Sequence, residues 1–123
     1  MRKIKFRVWY KTEKRMMSWE EICKSGEFTH DFLNQEFADT SPPMQYTCKK
    51  DKNDKEIYEG DIVQAEVSEE YTDSKIFMQG EVIYYEPFAS FEIKTKDSGQ
   101  PTMSVFTSFK VLGNKFENPE LLE

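Results

Sequence analysis

Gln45-Tyr46-Thr47-Cys48-Lys49-Lys50-Asp51-Lys52-Asn53-Asp54-Lys55-Glu56-Ile57-Tyr58-Glu59-Gly60-Asp61-Ile62-Val63 is the stretch that decides the fold class. Met44 to Cys48 reads as extended, Lys49 to Lys55 as a charged hairpin tip, and Ile57-Tyr58 as a short strand leading into a tight Glu59-Gly60-Asp61 turn and a further strand. Gly60 supplies a backbone angle that a side chain forbids. The pattern predicts a small β-rich domain. The stretch holds no nucleophile beside a base, no metal-ligand spacing and no glycine-rich phosphate cradle, so it describes architecture rather than chemistry.

Working toward the C-terminus, the pattern stays β. Ile62 to Val67, Lys75 to Met78, Glu81 to Tyr85 after Gly80, and Phe88 to Thr95 read as strands, with a loop over 68–74. Hairpins at this spacing predict a meander. Lys96 to Pro101 is a turn by composition, Thr102 to Leu112 another strand region, and Gly113-Asn114 a second punctuation. A short helical turn is expected to start at Pro119, a residue suited to the first helical position.

Working toward the N-terminus, Asp39 to Pro43 is loop by composition and the best internal boundary, separating 1–43 from a barrel region 44–123 within one domain. Ile4, Phe6 and Val8 alternate with Lys5 and Arg7, the period of a half-buried strand over 3–10. Met16-Met17 returns beside it, making 3–17 a hairpin. Ser18-Trp19-Glu20-Glu21 has the form of a capping box, which predicts a short helix over 19–24 ended by Gly26. Phe28, Phe32, Leu33 and Phe37 fit one further helical turn or an irregular loop packing aromatics onto the core.

A chain of 123 residues is one domain's worth. Its 10 Phe, 6 Tyr and 2 Trp predict an aromatic-rich core. The net charge of −6 works against a plain duplex-coating protein. The charge is uneven: residues 1–15 carry seven bases against Glu13 alone, leaving −12 on the other 108. No apolar run approaches membrane-spanning length, no leader-like pattern opens the chain, and Cys23 and Cys48 are too few for a disulfide framework, so a cytoplasmic setting is expected.

His30 is the only histidine and has no partners at a readable catalytic or zinc spacing. Glu20-Glu21, Glu69-Glu70 and Glu117 with Glu120 read as solvated surface. The run Lys49 to Lys55 nets only +2 and reads as a soluble tip. Tyr46, Tyr58, Tyr84, Tyr85, Phe88 and Phe91 read mostly as core; Glu81, Glu86 and Glu92 around them favour a protein surface over a base-stacking platform.

Three pieces resemble the YopX family of phage- and prophage-encoded proteins. They are Ile4 to Trp9 with Lys14-Arg15-Met16, then Gln45-Tyr46-Thr47 through Ile57 to Val63, and finally Gly113-Asn114 with Glu117 to Leu122. Family members commonly carry Gly-Leu where this chain has Cys48-Lys49, and Gly where it has Asp54. The resemblance implies a mainly β (β-rich α+β) fold: a small SH3-like barrel with an N-terminal β-hairpin appendage and one or two short helices. It implies no established activity and names no cofactor.

The function expected from these observations is a non-enzymatic phage or prophage accessory protein acting through protein contacts, with itself as a homo-oligomer or with a phage or host protein. Arg7, Trp9, Tyr46, Tyr58 and Asp61 are its candidate interaction surface; catalytic residues, metal ligands and cofactors are expected to be none. Two nucleic-acid readings compete with it. In one, Arg2, Lys3, Lys5, Arg7 and Trp9 form a basic aromatic ribbon; in the other, the acidic remainder mimics DNA.

Overall fold

A computed structural model describes residues 3–25, 40–68, 75–96 and 99–122. The chain divides into two units, Met1–Tyr46 and Thr47–Glu123. The first carries β1 (Phe6–Tyr10), β2 (Arg15–Met17), helix α1 (Trp19–Ser25) and the start of β3 (Met44–Lys50). The second carries the rest of β3, then β4 (Glu56–Tyr58), β5 (Asp61–Ser68), β6 (Lys75–Tyr85), β7 (Ser90–Thr95) and β8 (Ser108–Asn114). The strands form two four-stranded antiparallel sheets, in the orders β2-β1-β3-β4 and β7-β6-β5-β8, one of them curled into a half-barrel. The fold is therefore mainly β, as the sequence pattern predicts.

In the first unit the β1–β2 hairpin sets Trp9 opposite Met16 and Tyr10 opposite Arg15. Strand β1 starts at Phe6 rather than Lys3, and pairing ends where the Tyr46 amide donates to the Lys5 carbonyl. Phe6 and Val8, two apart and so on one face, pack with Met17, Trp19 and Ile22. The Phe6 and Trp19 rings lie 5.9 Å apart. Helix α1 starts where the capping pattern places it, with the Glu21 amide donating to Ser18 Oγ at 3.2 Å. Seven residues are too few for an independent helix, so burial of Ile22 against β1 is what holds it. Ser41 then ties the loop back to the strand: its Oγ accepts from the Trp9 amide at 2.9 Å and its own amide donates to the Trp9 carbonyl. The expectations for Gly26, Phe28, His30, Phe32, Leu33 and Phe37 lie outside the described residues.

In the second unit β5, β6 and β7 follow one another as hairpins, but the meander stops there. Strand β8 returns to the free side of β5, pairing Ala65 with Phe109 and Gln64 with Lys110. The reason is the burial of β5: Ile62, Val63 and Ala65 are fully enclosed, and a strand without solvent needs a hydrogen-bonding partner on each edge. The core is Ile57, Val63, Ala65, Val82, Ile93, Met103 and Phe109. Its buried members are mostly aliphatic, Phe109 being the one ring, so the aromatics contribute less to this core than their number predicts. Phe91 and Phe106 only flank it, while Phe77, Tyr84 and Phe88 are exposed. The region from Thr102 likewise opens with a 3-10 turn, Met103–Val105, which plugs Met103 into the core before β8 begins. The C-terminal turn forms as a 3-10 turn, Pro119–Leu122.

Both outer edges of the β7-β6-β5-β8 sheet are partly covered. On β8, Lys52 donates its amide to the Phe109 carbonyl and Asp51 accepts from the Val111 amide, each at 2.9 Å. On β7, the Ile93 and Thr95 amides donate to the Pro101 and Gly99 carbonyls. Such covering blocks edge-to-edge aggregation.

Candidate functional site

The hairpin tip read as solvated is built around a buried carboxylate. Asp51 Oδ1 accepts from the amides of Asn53 (2.8 Å) and Lys55 (2.9 Å), and Oδ2 accepts from Val111, sixty residues on in sequence. The first two bonds shape the turn, the third pins it to β8. Burial alone would push the Asp51 carboxyl up; the amides of Val111, Lys55 and Asn53, helped by the Lys55 charge, outweigh it and hold the group below the usual carboxylate range.

The same hairpin bends through two non-glycine residues with positive φ, Cys48 at 68° and Asp54 at 66°. A left-handed angle costs a residue with a Cβ roughly 1–2 kcal/mol, partly offset by the extra freedom glycine gives the unfolded chain. Cys48→Gly and Asp54→Gly should therefore each stabilise by about 0.5–1 kcal/mol. Thermal unfolding is the measurement; an unchanged or lower midpoint in both variants refutes the strain.

A second carboxylate shapes the Glu59-Gly60-Asp61 turn. Gly60 has φ 86°, and Asp61 Oδ2 accepts from the Tyr58 amide at 2.8 Å. Asp61, only 2% exposed, thus shapes the turn from inside. Tyr46 is 6% exposed, and the Lys5 ammonium sits 5.2 Å from its ring centre. Arg7, Trp9 and Tyr58 are half-buried. Arg7 and Trp9 share the face of β1 opposite Phe6 and Val8, with Arg7 paired to Met44. Tyr58 directs its hydroxyl to Glu56 at 3.4 Å. Lys5 of the basic ribbon is thus engaged within its own unit, and Arg2 lies outside the described residues.

The acids around the aromatic set divide. Glu86 is exposed and Glu81 meets Lys115 at 3.5 Å, but Glu92 is buried, accepting from Ser90 Oγ (3.0 Å) and Gln100 Nε2 (2.7 Å). It adds no charge to the surface. Of the aromatics, Phe88 stands out at 72% exposure in a 3-10 turn between β6 and β7, closed by Ala89 at φ 48°. Tyr85 supports it edge-on at 5.3 Å, and Tyr84 leans on Phe91 at the same distance. No sequence signal separated these exposed rings from core ones, because an aromatic in a hairpin connection has no periodicity to report.

Among the described residues, no group of three or more His, Cys, Asp and Glu is placed to hold a metal ion. Cys23 and Cys48 form no disulfide with each other and are exposed. No helix among those residues is long and apolar enough to cross a membrane.

Fold and site together define a small, mainly β protein in which Asp51 and Asp61 shape turns and Phe77, Tyr84 and Phe88 lie exposed. The chain belongs to the YopX family: the family model, described as YopX protein, matches residues 5–123. Among solved structures it is similar to protein EF1440 from Enterococcus faecalis, at 23% identity and a TM-score of 0.63, with all of both chains covered. That likeness concerns the fold. No curated protein matches the chain.

Proposed function

We propose that this is a non-enzymatic accessory protein of phage or prophage origin, working in the host cytoplasm through protein contacts that include self-association. The observation that carries the reading is the β6–β7 connection, where Phe88 and Tyr84 are held outward by neighbouring rings. Large rigid aromatics are the side chains that anchor protein interfaces, since they bury much area at little cost in conformational entropy. At this end of the unit the contact is side-chain packing, because the neighbouring β7 edge is already partly bonded through Ile93 and Thr95. Phage origin and cytoplasmic setting rest on the family resemblance and on the cysteine usage.

Light scattering over a concentration series should show a dimer or higher species for the parent chain and a monomer for Phe88→Ser, the two sharing one unfolding temperature at concentrations low enough to dissociate the parent, because the ring is exposed. A strict monomer that also retains no protein from lysogenic cells would count decisively against this reading.

A further inference from the structure

The β3–β4 tip and the segment entering β8 enclose a depression of about 340 Å³, lined by Lys49, Lys50, Lys52, Phe106, Thr107 and Phe109 among others. Beside it, Lys52, Ser108 and Phe109 continue into a shallow surface bordered by Lys110, Glu66 and Phe77, with no enclosed volume of its own. The carboxylates nearby are already engaged. Asp51 is turned inward onto three amides, Asp54 lies 3.6 Å from Lys50, and Glu66 lies 3.4 Å from Lys75. Lys49, Lys52 and Lys110 have no carboxylate partner among the described residues. A protein with net charge −6 thus keeps exposed cations along one concave strip, on a tip made rigid by Asp51.

We propose that this strip binds single-stranded nucleic acid, the phosphates following Lys49, Lys50, Lys52 and Lys110 and a base stacking on Phe77, which is 52% exposed. Single strands are held by this combination of cations tracking the backbone and aromatic faces accepting bases. Two alternatives fit less well. An acidic peptide accounts for the cations but leaves the exposed ring of Phe77 beside them without a role. A duplex presents its charge over a broad surface, which the acidic remainder of the chain repels. The site uses none of the residues of the protein-contact reading, so either stands without the other.

The test is fluorescence anisotropy with a labelled oligothymidylate of about 15 nucleotides, its oligouridylate counterpart and a polyglutamate peptide, over a series of salt concentrations. The full chain should bind the oligonucleotides, weakening steeply with salt. Lys49→Ala/Lys50→Ala/Lys52→Ala should bind about tenfold or more weakly, and the slope of log affinity against log salt should flatten by about 2, the value for three lost phosphate contacts on a single strand. Phe77→Ala should weaken oligonucleotide binding about fivefold while leaving any polyglutamate binding unchanged. Lys94→Ala/Lys96→Ala, exposed lysines outside the strip, should bind as the parent does. Absence of binding at the lowest salt overturns the proposal, as does binding that ignores the three lysines. Oligonucleotide and polyglutamate binding that are equal and both indifferent to Phe77 overturn it in favour of an acidic protein.

Discussion

Asp51→Asn is expected to destabilise the protein by about 3 kcal/mol or more, an effect out of proportion to a site in a lysine-rich tip. The carboxylate satisfies three backbone donors, and hydrogen bonds to a charged acceptor contribute about 1.5–3 kcal/mol each where buried. The amide side chain keeps the size but replaces one acceptor oxygen with a donor, which meets an amide N–H head-on. The consequence is non-local: the Val111 bond is the tie between tip and β8, so slower hydrogen exchange at Val111 in the parent and loss of that protection in the variant should accompany the drop.

The same group sets a pH dependence with a definite sign. Because Asp51 is held below its ordinary range in the folded chain, the unfolded chain takes up its proton first as pH falls. Its contribution to stability is therefore fully present above the ordinary carboxylate pKa, about 3.9, and is lost as pH drops from there through the folded value. Chemical denaturation at a series of pH values should show the parent losing more stability than Asp51→Asn below about pH 4. Parallel curves for the two proteins would mean that the carboxylate is not preferentially stabilised in the fold.

Asp51 also marks the limit of what was legible in the chain. Local features were readable because their causes are local: the alternation of Phe6 and Val8, the Ser18 cap, the Gly60 angle and the Pro119 turn each depend on residues within a few positions. The charge run from Lys49 to Lys55 reads as solvent-facing by composition, and nothing near it announces that one of its acids is to be buried against a strand sixty residues away. A signal did exist, in the Asp-x-Asn-Asp spacing that favours side-chain capping of backbone amides, but that spacing specifies a turn and not its tertiary partner. Asp61 and Glu92 behave alike: each looks like surface charge until its backbone or amide partner is placed. The return of β8 to β5 was hidden for a related reason, since hairpin spacing predicts neighbours in sequence and cannot report a strand whose second edge needs filling. As for the candidate interaction residues, aromatic and charged character marked Tyr46 and Asp61, whereas exposure selects Phe88, Phe77 and the tip lysines.

Gly80→Ala should cost about 3 kcal/mol, which would make it one of the most disruptive single-methyl additions available to this chain. Gly80 lies inside β6, paired with Val63 on one side and Thr95 on the other. A Cβ built there would fall 2.5 Å from the Lys94 carbonyl oxygen and 2.8 Å from Ile93 Cγ2. The oxygen belongs to the neighbouring strand and cannot move aside without disturbing the Gly80–Thr95 register, and Ile93 is fully buried in the core. Glycine in mid-strand is otherwise unfavourable, so its presence reports a close backbone approach. It also sits where β6 changes character, from the largely exposed Lys75–Gln79 segment to the alternation that buries Val82. Gly99→Ala provides the contrast. Its φ of 85° makes an alanine strained, but no atom lies within 4 Å of the added methyl, so the cost there should be about 1 kcal/mol. A loss at Gly80→Ala no larger than that at Gly99→Ala in denaturant titrations would show that β7 gives way to the methyl, and the tight β6–β7 crossing would then have to be abandoned as the reason for glycine at position 80.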